Sequence, residues 1–575
     1  MSSTNFNDFA SNCDVMIHIY KFLNVGDQLR LAQVNGKLRN LFLQYIWSIS
    51  YNKLTIIEYE YLLYAASNCM DKDRILYLNS SDLEEFLTFY GNNVNGLYTN
   101  TRLRMEFFRN LIELKYCNKG VILNEMTQLS NTSPNLEVLQ VYDHGLEFLP
   151  PNYFITRGTV TQLLRFVKLK KLVLYIIGFR CKIKFKDFWV IVTKLPLEIL
   201  ELYIPILFDS DDNEFEFQQS PLPLKQLEIT TVGNDGRFFS MLNSFRNLKV
   251  LTTRLQYTNE VANALKCLTQ LHQLTLNHSN FNEEANVILP PNITILHLKY
   301  CDGLLLVHLQ QFLHEDSNPK LTEFIAIETD FRVKEFKELQ ISSRIKILNI
   351  EHFDLNQFRT PFVENSALEN LTLHSAEGVG SGIHFVRLNT ISFCRNLHTL
   401  DMHGQNLALD TLVNLKNLKK LSLDLISADQ GFYIIRILLE LPLLQELAVR
   451  ELASLICPTL QAVVTSINCI KIFCFKPPGP TIGFWFDMFS LNPQLELQMR
   501  IAELDRETLQ NLIQNEKFPS NLRKIKFFGL PVDCSELRNN CESVWKRLHY
   551  LIYDYEDHYT NGRKCNIIMS RNYNK

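Results

Sequence analysis

Two histidines raise the question of chemistry first. His374 and His403 fall at the same slot of neighbouring sequence repeats, and Asp424 takes that slot one repeat later. Parallel strands would bring the two rings to about 5 Å. Imidazole and carboxylate groups are metal-ligand chemistry, but this slot supplies too few of them for a closed site. We read them as solvent-facing polar residues and expect neither a metal nor a cofactor. The 13 cysteines run from Cys13 to Cys565, odd in number and scattered, with Cys469 and Cys474 the closest pair and no CxxC. Free buried thiols of a reducing compartment fit this pattern better than a disulfide framework or a zinc site. No GxGxxG follows a strand, and no GxxxxGK(S/T), HExxH or GxSxG occurs. No catalytic residue and no enzymatic activity are therefore expected.

Composition narrows the partners. The chain has 575 residues, 46% hydrophobic and 21% charged, with a net charge of −3. A basic run (Arg165, Lys168, Lys170, Lys171, Arg180, Lys182, Lys184, Lys186) stands beside an acidic one (Asp209, Asp211, Asp212, Glu214, Glu216). Without an uncompensated basic stripe, no nucleic acid partner is expected. Apolar runs such as Leu304–Val307 are far shorter than the roughly 18 residues of a membrane span. The amino terminus shows no cationic region followed by an apolar core. No membrane partner is expected, and the location is expected to be cytoplasmic and/or nuclear.

The elements that position these residues are written as a repeat. The pattern L-x-x-L-x-L starts at Leu136, Leu169, Leu197, Leu224, Leu271, Ile293, Ile345, Leu368, Leu397, Leu418 and Leu444, with weaker copies from Val94 to Leu548. The mean period is roughly 25 residues. The alternation at the end of each hexamer makes a short strand. Stretches such as Glu260–Leu265, Leu306–His314 and Gln430–Glu440 have helical composition. A unit of this size cannot bury its own leucines, so units must stack into one parallel sheet with helices outside. In this register Leu139, Leu172, Leu200, Leu274, Leu296, Leu348, Leu371, Leu400 and Leu421 form the core. The period and pattern resemble leucine-rich repeats. That resemblance implies an α/β solenoid and usually Asn or Cys at the ninth position of each unit, where Cys301 fits and most units do not.

Ahead of the repeats, residues 12–47 read as amphipathic helices broken near Asn24 and Gly26-Asp27. Asp14-Val15, Ile17, Ile19, Phe22-Leu23, Asp27, Leu29, Leu31-Ala32-Gln33-Val34, Arg39, Leu41 and Trp47 resemble an F-box. The departures are Asn12-Cys13 where Leu-Pro is usual, Gln28 after Asp27, and Leu38 for a common Trp. With the repeats, this resembles the F-box/leucine-rich-repeat family. The resemblance implies a substrate receptor of a cullin-based ubiquitin ligase, with a Skp-family adaptor, through it a cullin, and an unidentified protein target as partners. Val15, Ile19, Phe22, Leu23, Leu29, Leu31, Val34 and Leu41 would form the adaptor-binding surface, left partly uncovered by the repeats.

The expected organisation is a helical module over 11–50, a packed linker over 51–74, a solenoid over 75–553 and a polar tail over 554–575. One column along the expected concave face begins with Tyr142, Tyr175 and Tyr203 and continues with Arg254 and Lys299. Tyrosine gives contact area at little entropic cost. These five are expected to contact the target, although a tyrosine ladder can equally serve the sheet itself.

Overall fold

The computed structural model describes residues 12–23, 25–47, 49, 53–57, 75–77, 87–99, 105–117, 126–143, 153–176, 181–208, 222–229, 238, 241–282, 287–329, 331–332, 339–351, 362–364, 366–374, 389–403, 409–425, 430–451, 462–474, 487–492, 494–501, 524–530, 548–557 and 562–571. The chain forms two compact units, Met1–Asn277 and His278–Lys575.

The first unit opens with three short helices, α1 (Cys13–Phe22), α2 (Val25–Gln33) and α3 (Gly36–Leu41), and a π-helical turn over Phe42–Trp47. Asn12 and Asn35 start α1 and α3, their side chains accepting from the amides of Val15 and Leu38. An accepting N-cap of this kind is typically worth about 1 kcal/mol. Asn12, which departs from the F-box pattern, therefore has a local job. Met16, Leu38 and Leu41 form a buried cluster with Ile19 and Leu31 against it. Tyr20 is fully buried and its hydroxyl donates to the Leu38 carbonyl at 3.1 Å. Gln28, another departure, donates to the carbonyls of Tyr20 (2.6 Å) and Leu23 (3.0 Å) and so closes the end of α1.

A parallel sheet follows. Its strands are β1 (Lys53–Ile57), β2 (Ile75–Tyr77), β3 (Gly96–Thr99), β4 (Glu113–Cys117), β5 (Val138–Asp143), β6 (Lys171–Ile176), β7 (Ile199–Leu202), β8 (Gln226–Ile229), β9 (Val250–Thr253) and β10 (Gln273–Asn277). From β3 to β10 each strand pairs in parallel with the next in sequence. The start differs from expectation. β1, placed by sequence in a linker, pairs with β3 on one side and β2 on the other. The alternation in Lys53-Leu54-Thr55-Ile56 is the cause: Leu54 and Ile56 point inward at 2% and 1% exposure. Trp47 ties the helical module to this edge, donating to the Asn93 carbonyl at 2.9 Å and stacking on Tyr90 with centroids 5.6 Å apart.

The second unit continues the same logic with β11 (Ile295–Lys299), β12 (Glu323–Ile327), β13 (Ile347–Glu351), β14 (Asn370–His374), β15 (Thr399–His403), β16 (Lys420–Leu425), β17 (Glu446–Glu451), β18 (Cys469–Cys474), β19 (Glu496–Ile501) and β20 (Lys524–Leu530), all parallel in sequence order. The end differs from expectation. Leu548–Asp557 (β21) and Gly562–Arg571 (β22) form an antiparallel hairpin, and β22 runs antiparallel to β20. The hexamer at Leu548 is thus no further parallel repeat, and the segment expected as a polar tail pairs with the last one. An antiparallel return needs only a short turn, whereas a parallel one needs a crossover.

Every leucine assigned to the core is at most 1% exposed: Leu139, Leu172, Leu200, Leu274, Leu296, Leu348, Leu371, Leu400 and Leu421. Within the first unit Leu139, Leu172, Leu200, Leu227, Leu251 and Leu274 pair in one row across the sheet. Helices fall between strands, including Phe185–Lys194, Asn259–Lys266, Leu306–Leu313 and Gln430–Glu440. This is a leucine-rich-repeat solenoid architecture preceded by a small helical module.

Candidate functional site

On the helical module, the eight residues expected to face an adaptor separate into three groups. Leu29 and Leu41 are buried at 8% and 6%, which corrects their assignment to an open surface. The three helices fold onto one another, and these side chains complete that small core. Val15, Ile19, Leu23 and Leu31 are half-buried, with Ile19 and Leu31 packed on the Met16 cluster. Phe22 and Val34 stand open, at 81% and 61% exposure. Tyr45 and Ile49, which the sequence did not single out, are exposed as well.

The three tyrosines do meet on the sheet's solvent face. Tyr142 and Tyr175 sit on adjacent strands in direct register, with ring centroids 5.9 Å apart, and Tyr175 and Tyr203 are 4.6 Å apart. All three are half-buried. The Tyr203 hydroxyl donates to Glu228 Oε1 at 2.6 Å and the Tyr142 hydroxyl to Gln140 Oε1 at 3.0 Å. Burial, reinforced by the Glu228 carboxylate, pushes the Tyr203 phenol well above its usual range. Lys115 Nζ lies 5.2 Å from the Tyr142 ring centroid, within cation–π reach. Arg254 is exposed just after β9, and Lys299 ends β11 half-buried in the second unit. The basic run is partly spent on the sheet's ion pairs: Lys170 with Glu137 (2.8 Å) and Lys171 with Glu201 (3.2 Å). The acidic run and the Pro477-Pro478-Gly479-Pro480 segment lie outside the described residues.

The most densely connected polar group is on β14–β17. His374 and His403 pair in register, with ring centroids 5.0 Å apart, the separation expected from the repeat. Asp401 lies two residues before His403, on the same face. Its carboxylate is 3.4 Å from His374 Nε2 and 3.0 Å from His403 Nε2. His403 Nδ1 meets Asp424 Oδ1 at 2.7 Å, and Arg450 grips Asp424 with two bonds of 3.0 Å. Ser422 Oγ is 2.9 Å from His403 Nε2. The Asp424 side chain is fully buried, whereas His374, Asp401 and His403 keep 32%, 31% and 24% exposure, so they face solvent only in part. Burial alone would depress the His403 imidazole, but its bonds to Asp401 and Asp424 raise it to about 9. Burial would likewise raise Asp401, yet the two histidines hold it far below the ordinary carboxylate range. Beside the cluster, His403, Ser422, Arg450, Lys471, Phe473 and Gln498 line an open recess.

A further polar row was marked in the sequence only at Cys301. Ser279, Cys301 and Thr329 occupy the ninth position of three successive repeats and are all buried. Thr329 Oγ1 accepts from the Cys301 amide at 3.3 Å and donates to the Ile327 carbonyl at 2.9 Å. The residues just before, His278, Tyr300 and Glu328, take positive φ of 47°, 55° and 47°. Burial pushes the Cys301 thiol up to about 11 and the Cys394 thiol up to about 12, so neither is a ready nucleophile at neutral pH.

No protein-family profile matches the chain. No curated protein matches it either. Among solved structures it is similar to the internalin InlF of Listeria monocytogenes, at 15% identity over 55% of this chain and 81% of that one, with a TM-score of 0.30. It is also similar to TLR13 in its complex with ssRNA13, at 15% identity over 75% of this chain and 62% of that one, with a TM-score of 0.42. The functional domain of InlJ of Listeria monocytogenes matches at 12% identity over 86% and 82%, with a TM-score of 0.25. All three are leucine-rich-repeat proteins. The likeness concerns architecture, and nothing about ligands is carried over from them. Among the described residues no helix is long and apolar enough to cross a membrane.

Proposed function

We propose that this chain is a non-catalytic receptor that joins two proteins: its front helices dock on a Skp-family adaptor, and through it a cullin, while the strand face of the repeats holds a target for ubiquitin transfer. The observation that supports this best is the exposure of Phe22 (81%) and Val34 (61%) on a helical module whose own core is already complete. Burying such a side chain is worth about 1.5–3 kcal/mol, so apolar side chains left uncovered are a reserve for a partner. Both lie among the residues that resemble an F-box. The Trp47 contacts give the module a fixed seat on the first strands, which a receptor needs if it is to position a target. The chain's contribution is then raised effective concentration rather than bond chemistry.

The tyrosine face is the target-binding surface in this reading, with Tyr142, Tyr175, Tyr203 and Arg254 as contacts on the first unit, and Lys299 is a further contact carried by the second unit. Mixing the purified full-length chain with a Skp-family adaptor and separating by size tests the proposal. Co-elution supports it; separate elution leaves a repeat scaffold with no ubiquitin-ligase role.

A further inference from the structure

We propose that His374, Asp401 and His403 form a binding site for a divalent transition-metal ion of the zinc class. Their ligand atoms all lie within 4.8 Å of one another. Bonds of 2.0–2.1 Å in a tetrahedron place neighbouring ligand atoms about 3.3 Å apart. The observed separations of Asp401 from His374 Nε2 and His403 Nε2 are 3.4 and 3.0 Å. The three side chains sit on two adjacent strands of a packed sheet, so their spacing is fixed by register rather than by loops.

Two further observations point the same way. His374 Nε2 and Asp401 Oδ1 are buried and make no well-aligned hydrogen bond, their nearest polar contacts being Asp401 Oδ2 at 3.4 Å and His403 Nε2 at 3.0 Å. Buried polar atoms are normally paired, and one left unpaired costs about 1–3 kcal/mol. A metal ion would satisfy both. The second observation concerns orientation. The Asp424 carboxylate holds His403 Nδ1 at 2.7 Å, and Arg450 fixes Asp424 through two bonds. A carboxylate behind one ring nitrogen sets the tautomer that offers the other nitrogen to a metal. His403 Nε2 is the nitrogen turned toward Asp401. Ser422 Oγ stands 2.9 Å from it, so a further oxygen donor borders the site.

The test titrates the metal-free full-length chain with Zn2+ by calorimetry, and with Co2+ by absorption spectroscopy. One ion per chain at a dissociation constant below about 10 µM is expected at slightly alkaline pH. His374→Ala and the nearly isosteric Asp401→Asn should each weaken it at least about 10-fold, and Asp424→Asn, a positioning change, about 10–100-fold. Circular dichroism and thermal unfolding establish that each variant is folded, and Asp401→Asn serves if the alanine variant is not. The Co2+ spectrum should lack a thiolate-to-metal band, which separates this site from the cysteines. No stoichiometric binding, binding unchanged in folded His374→Ala and Asp401→Asn, or a thiolate band overturns the proposal.

Discussion

The Asp401–His403–Asp424–Arg450 chain is an ionic network built around one fully buried carboxylate, Asp424, and such networks are costly to break rather than strongly stabilising in themselves. Removing the Arg450 charge with Arg450→Met takes two bonds from the fully buried Asp424, and we expect a loss of about 3 kcal/mol in chemical denaturation. In metal-free protein the His403 imidazole is raised from 6.5 to about 9. A raised value means that its contribution to stability is complete below about pH 6.5 and disappears as pH climbs through about 9. Denaturation midpoints across that window should therefore fall with pH, and His403→Gln should flatten the fall. An NMR titration giving His403 an ordinary imidazole value would contradict it. Asp401 acts in the opposite sense: held low, it stabilises at all but strongly acidic pH. Half of this cluster was legible in the sequence, since equal repeat slots place His374 beside His403. Asp401 was missed because only one slot per repeat was followed. Residues i and i+2 of a strand share a face, so the same column pattern, extended by two positions, contains it.

At the scale of elements, the hexamer L-x-x-L-x-L is legible because its alternation and the strand's pleat have the same period. Leu348→Ala and Leu400→Ala, each removing a side chain at most 1% exposed, should cost about 2–5 kcal/mol in thermal or chemical unfolding. Wild-type stability in both would mean that the strands have another register. The ninth-position row was legible only at Cys301, because Ser279, Cys301 and Thr329 do one job with three residue types and no repeated letter marks it. Thr329→Val keeps the shape but removes the acceptor for the Cys301 amide and should cost about 1–3 kcal/mol. The two ends of the array also eluded the repeat. β1 alternates over residues 53–56 but has Tyr51 in the first slot of the hexamer frame, so the L-x-x-L-x-L pattern does not mark it. The closing hairpin contains a hexamer-like pattern at Leu548, but β22 rather than this strand takes the place beside β20. In the helical module, helical spacing identified the apolar residues but not which of them the module itself would bury; Leu29 and Leu41 are spent on its own core.

At the scale of the molecule, receptor function requires one surface for an adaptor and another for a target. Tyr175→Ala together with Arg254→Ala should reduce capture of targets from native extract while adaptor binding and thermal unfolding stay close to wild type. Loss of folding instead would make the tyrosine ladder a structural part of the sheet, and unchanged capture would move the target elsewhere. The adaptor surface offers the most direct test, because its partner class is named and its exposed residues can be changed without opening the core. The decisive measurement is the affinity of the purified full-length chain for a purified Skp-family adaptor, with and without Phe22→Asp and Val34→Asp together. A one-to-one complex tighter than about 1 µM, weakened at least about 100-fold by the double substitution at unchanged thermal stability, is the predicted result. No complex at about 10 µM, or a complex indifferent to both substitutions, would contradict the assignment of this chain as an adaptor-bound receptor.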